Sequence, residues 1–201
     1  MKNRKIIYIK SYKINNDRKK MNKKIAVLLS GNGSNLNAII KKGINVSFVV
    51  SNNPEAPGLK IAEQSNIPTY SWNNLSELEE HVSELVKIHD IKLLVLAGFM
   101  RLLSKKFISS LQQHSIINVH PSILPEFKGL NAIQQALESG AKFTGVTIHY
   151  VDEGIDTGEI IQQETIKINQ NDTIKSLKKR LQTLEHDLFP KVIESILSKI
   201  N

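Results

Sequence analysis

The feature that most constrains this chain is a repeated alternation: short apolar, β-branched runs follow one another, each separated from the next by an amphipathic stretch. Residues 24–30 (KIAVLLS), 45–51 (NVSFVVS), 91–97 (IKLLVLA) and 115–119 (SIINV) read as strands, with 68–71 a shorter one. Helices are expected over 34–42, over 58–65 after Pro57, and over 75–88, where Leu75, Leu78, Val82, Leu85 and Val86 recur at helical spacing. Two more are expected over 104–112, with Ser104 as N-cap, and over 131–139, ended by Gly140. Residues 143–151 and 159–168 supply two further strands. A long helix over 173–199 closes the chain, capped by Asp172 or Thr173 and expected to kink at Pro190. Strands that are apolar on both faces must be covered on both faces. The expected architecture is therefore α/β: one domain, Rossmann-like and three-layered, with a mostly parallel sheet and an antiparallel edge. Such sheets bind ligands beyond the carboxyl ends of their strands, so the residues that follow each strand carry the functional interest.

Composition narrows the chemistry. There is no cysteine among the 201 residues, which excludes disulfides, thiolate metal sites and a cysteine nucleophile. That suits a reducing cytoplasm, and no apolar run approaches the ~20 residues a membrane helix needs. The formal charge of +8 is concentrated at one end: residues 1–20 hold eight of the 27 Lys/Arg and one of the 19 Asp/Glu, so the rest carries 19 basic against 18 acidic residues. Residues 1–20 read as a solvated, poorly ordered basic extension ahead of a domain at 21–201, with Met21 a candidate start. A nucleic-acid arm is the rival reading of the extension. Aromatic content of 5% with no aromatic–basic interleaving speaks against base stacking.

After the first strand comes Ser30-Gly31-Asn32-Gly33-Ser34-Asn35. Glycines let the backbone approach a ligand closely, and the helix that follows offers free N–H groups and a partial positive charge. The turn suits a phosphate, and it could equally be a tight turn with a serine N-cap. It lacks the lysine of the triphosphate loop. It also lacks the third small residue of the dinucleotide loop, where Leu36 stands, so a single phosphate is the better guest. On this reading a β-branched residue at Gly33 would raise the KM for the phosphorylated substrate alone.

Asn118 and His120 end a strand and, two apart, point to the same side of it. An amide and an imidazole together can stabilise the oxygen of a polarised carbonyl, which acyl transfer to an amine requires. A lone histidine is more often structural. Here an acidic loop, Asp152 to Gly158, follows between two strands and is either a polar turn or the source of a carboxylate for His120. A carboxylate there would raise the His120 pKa and make it a proton donor near neutrality. His81, His89, His114 and His186 carry less weight, and His149 is expected to be packed rather than reactive. No metal-ligand spacing is present, so no metal site is expected.

Taken together, SGNGSN (30–35), VLAGFMRLLS (95–104), INVHPSILPEFKGLNA (117–132), TGVTIHYVDEGIDTGEII (144–161) and QTLEHDLFP (182–190) resemble the folate-dependent phosphoribosylglycinamide formyltransferases of purine synthesis, from about Lys24 onward. The resemblance implies a formyltransferase fold and transfer of a formyl group from 10-formyltetrahydrofolate, as co-substrate, to the amine of glycinamide ribonucleotide. It implies Asn118, His120 and Asp156 as the catalytic trio. It places the ribonucleotide on Gly33, Ser34, Asn35, Gln182, Thr183, Leu184 and Glu185. It places the folate against Met100, Arg101, Leu102, Leu103, Asn118, Asp152, Glu153, Gly154, Ile155 and Asp156. Small-molecule substrates without nucleic acid or membrane, and a monomer or homodimer, are implied as well. The family often has an arginine in the helix over 75–84 near the folate tail; LSELEEHVSE has none. Methionyl-tRNA formyltransferase and formyltetrahydrofolate hydrolase share the trio and are the alternative readings; because they typically carry an additional domain, the purine enzyme is the expectation.

Overall fold

Alternation along the strands builds two cores, one on each face of a single sheet. The computed structural model describes residues 23–112 and 115–200. The expected extension at 1–20 and His114 lie outside the described residues. The strands are β1 (Lys24–Leu29), β2 (Val46–Ser51), β3 (Thr69–Ser71), β4 (Ile91–Leu96), β5 (Ile116–His120), β6 (Phe143–Tyr150) and β7 (Ile160–Lys167). The helices are α1 (Ser34–Lys41), α2 (Pro57–Gln64), α3 (Leu75–Ile88), α4 (Lys105–Ser110), α5 (Ala132–Glu138) and α6 (Ile174–Lys199). On β1, Ile25, Val27 and Leu29 enter the core shared with α1, α2, α5 and α6, while Ala26 and Leu28 enter the core shared with α3 and α4. On β4, Leu93 and Val95 divide from Leu94 and Leu96 in the same way. Full burial of each such leucine or isoleucine contributes roughly 1.5–3 kcal/mol, which holds the three layers in register with the pleat.

The sheet order is β3-β2-β1-β4-β5-β6-β7. The first five strands are parallel, and β6 and β7 add an antiparallel edge. The order reverses between β1 and β4, and such a switch point opens a crevice at the carboxyl ends of the strands. Local chemistry sets the element ends. Ser104 caps α4 by accepting from the Phe107 N–H, and Asn74 caps α3 by accepting from Glu77. Of the two candidate caps of α6, Thr173 is the N-cap, in a capping box with Ser176; Asp172 accepts from Ser176 and pairs with Arg180. α6 runs unbroken through Pro190, which is buried against the core. Among the described residues no helix is long and apolar enough to cross a membrane.

Candidate active site

The glycine turn is built by two chains of contact. Gly33 takes a left-handed φ of 71° and stands at the N-cap of α1, with no side chain closing the helix end. A Cβ at Gly33 would lie 2.5 Å from the Gly58 Cα, because the start of α2 packs directly on the turn through a Gly58 N–H to Gly31 carbonyl bond of 3.0 Å. Gly33 is thus demanded by both φ and space, and a β-branched residue there would disturb α1 and α2 together. The expected selective effect on substrate KM is corrected accordingly. Ser30 ties the turn to the loop after β4: its N–H donates to the Gly98 carbonyl, its hydroxyl donates to Asn52 and accepts from the Met100 N–H. The ends of β1 and β4 therefore form one wall.

β5 and β6 form the next wall. Antiparallel pairing sets His149 directly across from Asn118 and Thr147 across from His120. The Asn118 amide Nδ2 lies 3.2 Å from His149 Nε2, and His149 Nδ1 lies 2.8 Å from the Tyr150 carbonyl. With its proton on Nδ1, His149 accepts from the Asn118 amide and so fixes which way that amide faces. Asp156, held at φ 49°, enters from the loop between β6 and β7. One carboxylate oxygen accepts from the Gly129 N–H at 2.8 Å and lies 3.4 Å from His120 Nδ1. The other lies 3.5 Å from both the Asn118 amide and His149 Nε2. His120, 5% exposed, places its Nε2 2.8 Å from the Phe127 carbonyl.

Burial dominates the His120 titration and pushes its pKa below the usual imidazole value. The Phe127 carbonyl and the Asp156 carboxylate pull it upward, and His149 pushes it down. The expectation of a raised His120 pKa is therefore corrected: the carboxylate acts in the expected direction, but desolvation outweighs it. Asp156 shows the opposite balance. Burial pushes its carboxyl up, but the nearby imidazoles of His149 and His120 and the hydrogen bond from the Gly129 N–H outweigh this and hold it below the usual carboxylate range.

These walls enclose a cleft of about 700 Å³, a size suited to small-molecule ligands. Gly33, Ser34 and Asn35 line it together with Asn118, His120, His149 and Asp156. Met100, Arg101, Leu102, Leu103, Asp152, Gly154 and Ile155 line it as well, the Met100 loop being tied to the glycine turn through Ser30. Met100, Leu102, Leu130 and Ile155 are large apolar side chains more than half exposed there, an unusual outlay unless a ligand covers them. α6 closes the cleft with one face: Ile174, Lys178, Leu181, Gln182 and Glu185. The Asn35 amide donates to Glu185 at 2.8 Å, and the amide oxygen of Asn35 is buried without a partner. Burial pushes the Glu185 carboxyl up, against the downward pull of the Asn35 bond and of Lys178.

Three residues of the expected site stand elsewhere. Thr183 bonds the Lys179 carbonyl and Leu184 packs on the core, because positions one and two beyond Gln182 rotate away from the face that Gln182 and Glu185 share. Glu153 pairs with Lys105 of α4 at 3.1 Å and does not line the cleft. Conversely, His149 was expected to be packed, and it is buried; its contact with Asn118 and Asp156 is what sequence reasoning missed. The i, i+2 spacing of Asn118 and His120 contains no hint of it. The signal lay in strand pairing, which a single sequence does not state. Lys178 and the backbone groups of Phe127 and Gly129 were likewise unforeseen. Among the described residues no group of three or more His, Asp or Glu is placed to hold a metal ion.

Comparison with known proteins gives the geometry a context. The formyl transferase family model matches residues 23–193. The phosphoribosylglycinamide formyltransferase of Bacillus subtilis is 38% identical over 190 residues, covering 89% of this chain and 97% of that protein. The human trifunctional purine biosynthetic protein adenosine-3 is 38% identical over 186 residues, 87% of this chain but 18% of that protein. Among solved structures, the phosphoribosylglycinamide formyltransferase of Anaplasma phagocytophilum is 43% identical with a TM-score of 0.84, covering 88% of this chain and 87% of that one. That of Bacillus halodurans is 37% identical with a TM-score of 0.83, covering 88% and 96%.

Proposed function

This chain belongs to the formyl transferase family, and we propose that it moves a formyl group from 10-formyltetrahydrofolate to the amine of glycinamide ribonucleotide, a step of purine synthesis. The observation that carries the reading is the convergence of Asn118, His120 and Asp156, from separate segments, in one cleft that the glycine turn also lines.

The turn receives the ribonucleotide phosphate on the open N-terminus of α1, with the Ser34 hydroxyl beside it. Gln182 and Glu185 face the sugar from α6, and the unpartnered oxygen of Asn35 supplies an acceptor for a hydroxyl. The flat, apolar part of the reduced folate covers Met100, Leu102 and Ile155, which fits their exposure in the cleft, and meets the edge of the buried Leu103. The neutral amine attacks the formyl carbon between these two groups of residues. The bond from that carbon to N10 of the folate breaks, a proton leaves the amine, and N10 gains one, giving formylglycinamide ribonucleotide and tetrahydrofolate.

Negative charge grows on the formyl oxygen during attack. Asn118 keeps one amide hydrogen on His149 and donates the other to the formyl oxygen, exchanging its long contact with Asp156 for it. His120 donates from Nε2 after exchanging the Phe127 carbonyl for the formyl oxygen. Asp156 stays ionised, which supports the imidazolium that the growing oxyanion calls for. A buried imidazole with a lowered pKa gives up its proton readily, and Asp156 limits how far that lowering goes. Residence in the cytoplasm as a monomer or homodimer, without a metal, completes the proposal.

Formyl transfer by the purified chain is the test. Tetrahydrofolate release that requires glycinamide ribonucleotide is the expected result; release at the same rate without it would make the chain a hydrolase and overturn the acceptor assignment.

A further inference from the structure

The cleft walls carry three carboxylates, Asp152, Asp156 and Glu185, and two side chains with a permanent positive charge, Arg101 and Lys178. Arg101 follows β4, between the exposed apolar side chains of Met100 and Leu102. Lys178 sits on the cleft-facing side of α6, one turn before Gln182 and two before Glu185. Its charge reaches Glu185, whose carboxyl it pulls downward, and Glu185 in turn bonds Asn35 of α1. Lys178 is exposed and, among the described residues, has no ion pair or side-chain hydrogen bond. Elsewhere on α6, Arg180 is committed to Asp172 and Lys191 to Asp187, while Lys175 and Lys179 do not line the cleft.

The end of the cleft at the glycine turn has a charge problem. A phosphate monoester brings roughly −1.5 to −2 at neutral pH. The turn meets it with neutral backbone N–H groups and a serine hydroxyl, and Glu185 stands on the opposite wall. We infer that Lys178 is a specificity-determining cation for the acceptor substrate, supplying from α6 the countercharge for its phosphate. The inference rests on the acceptor assigned above, and it adds a residue that lies outside the expected site. A solvated lysine acts on affinity rather than on chemistry. It therefore raises the on-rate and lowers the KM of the phosphorylated substrate while leaving kcat and the folate KM alone.

The test compares the wild type with Lys178→Gln, Lys178→Arg and, as a control on the same helix but outside the cleft, Lys179→Gln. Lys178→Gln should raise the KM for glycinamide ribonucleotide about fivefold. Its kcat and folate KM should stay within about twofold, and its KM should depend less on salt than the wild type's. Lys178→Arg should keep most of the wild-type KM, and Lys179→Gln all of it. An unchanged KM, or equal rises for both substrates, would overturn the assignment. Thermal stabilisation by ribose 5-phosphate separates this inference from the parent reading. If the wild type transfers no formyl group to glycinamide ribonucleotide but ribose 5-phosphate stabilises it and not Lys178→Gln, the acceptor reading fails and the lysine's role stands. If ribose 5-phosphate stabilises both proteins equally, the lysine's role fails whatever the acceptor.

Discussion

Replacing Asp156 with asparagine isolates the electrostatic part of the trio, because it keeps the shape of the side chain and removes its charge. His120 Nδ1 lies 3.4 Å from the carboxylate, and both side chains are largely shielded from water, at 6% and 12% exposure. At an effective dielectric of about 20 the full Coulomb attraction at that distance would be about 5 kcal/mol, an upper bound. Opposite charges this close usually move a pKa by about 1–3 units. Burial already holds His120 below its usual value, so the variant should lower it further. Above its pKa, each unit removes about nine-tenths of the imidazolium. Near pH 7.5 the kcat of Asp156→Asn should therefore fall about 10- to 1000-fold. The ratio of wild-type to variant kcat should be constant above the wild-type His120 pKa and shrink as the pH falls through and below it, since the ionisation of the amine substrate is common to both proteins and cancels. Steady-state kinetics across pH measures this, with circular dichroism at each pH to confirm folding. That control matters because both groups weaken the native state in acid. The folded Asp156 pKa lies below its unfolded value of 3.8, so its contribution is present above that value and lost as pH falls through the folded one. The folded His120 pKa lies below 6.5, so stability declines as pH drops from 6.5 through the folded value. A loss of activity that is the same at every pH would refute the electrostatic role and leave Asp156 a purely positional residue.

Other variants probe the remaining parts. Asn118→Ala and His120→Ala should each lower kcat by about a hundredfold or more, the usual cost of one oxyanion donor, measured by tetrahydrofolate release; near-normal turnover in either would remove that side chain from the mechanism. Gly33→Val meets the Gly58 backbone at 2.5 Å and a φ of 71°, so it should cost about 3 kcal/mol or more in urea unfolding and not act as a selective binding variant. Glu185→Gln should flatten a pH dependence of stability. The folded wild type holds its Glu185 proton to higher pH than the unfolded chain, so its stability falls as pH rises from 4.5 through the folded pKa, and the variant's should not. Melting temperatures across that range decide it, and a rise in the ribonucleotide KM should accompany the change.

The alternation of apolar runs was enough to place the seven strands and six helices of the described residues, with differences of one or two residues at most ends. Both faces of each inner strand must be buried, and only a covered sheet does that. Asn118 and His120 were legible as a pair because a strand puts residues two apart on one side. The glycine turn was legible as a tight turn at an open helix N-terminus because it stands between β1 and α1. These are short-range consequences of backbone geometry, and the linear order of residues determines them.

Other features depend on segments far apart in the chain. Pairing of β5 with β6 sets His149 against Asn118 across 31 positions. The return of α6 along α1 brings Glu185 to Asn35 across 150. The same helix's rotation admits Lys178, Gln182 and Glu185 to the cleft and turns Thr183 and Leu184 out of it. The His120 pKa belongs here too. A nearby carboxylate could be guessed from the acidic loop, but its sign of influence competes with desolvation, and how much water is excluded is known only once every wall is in place.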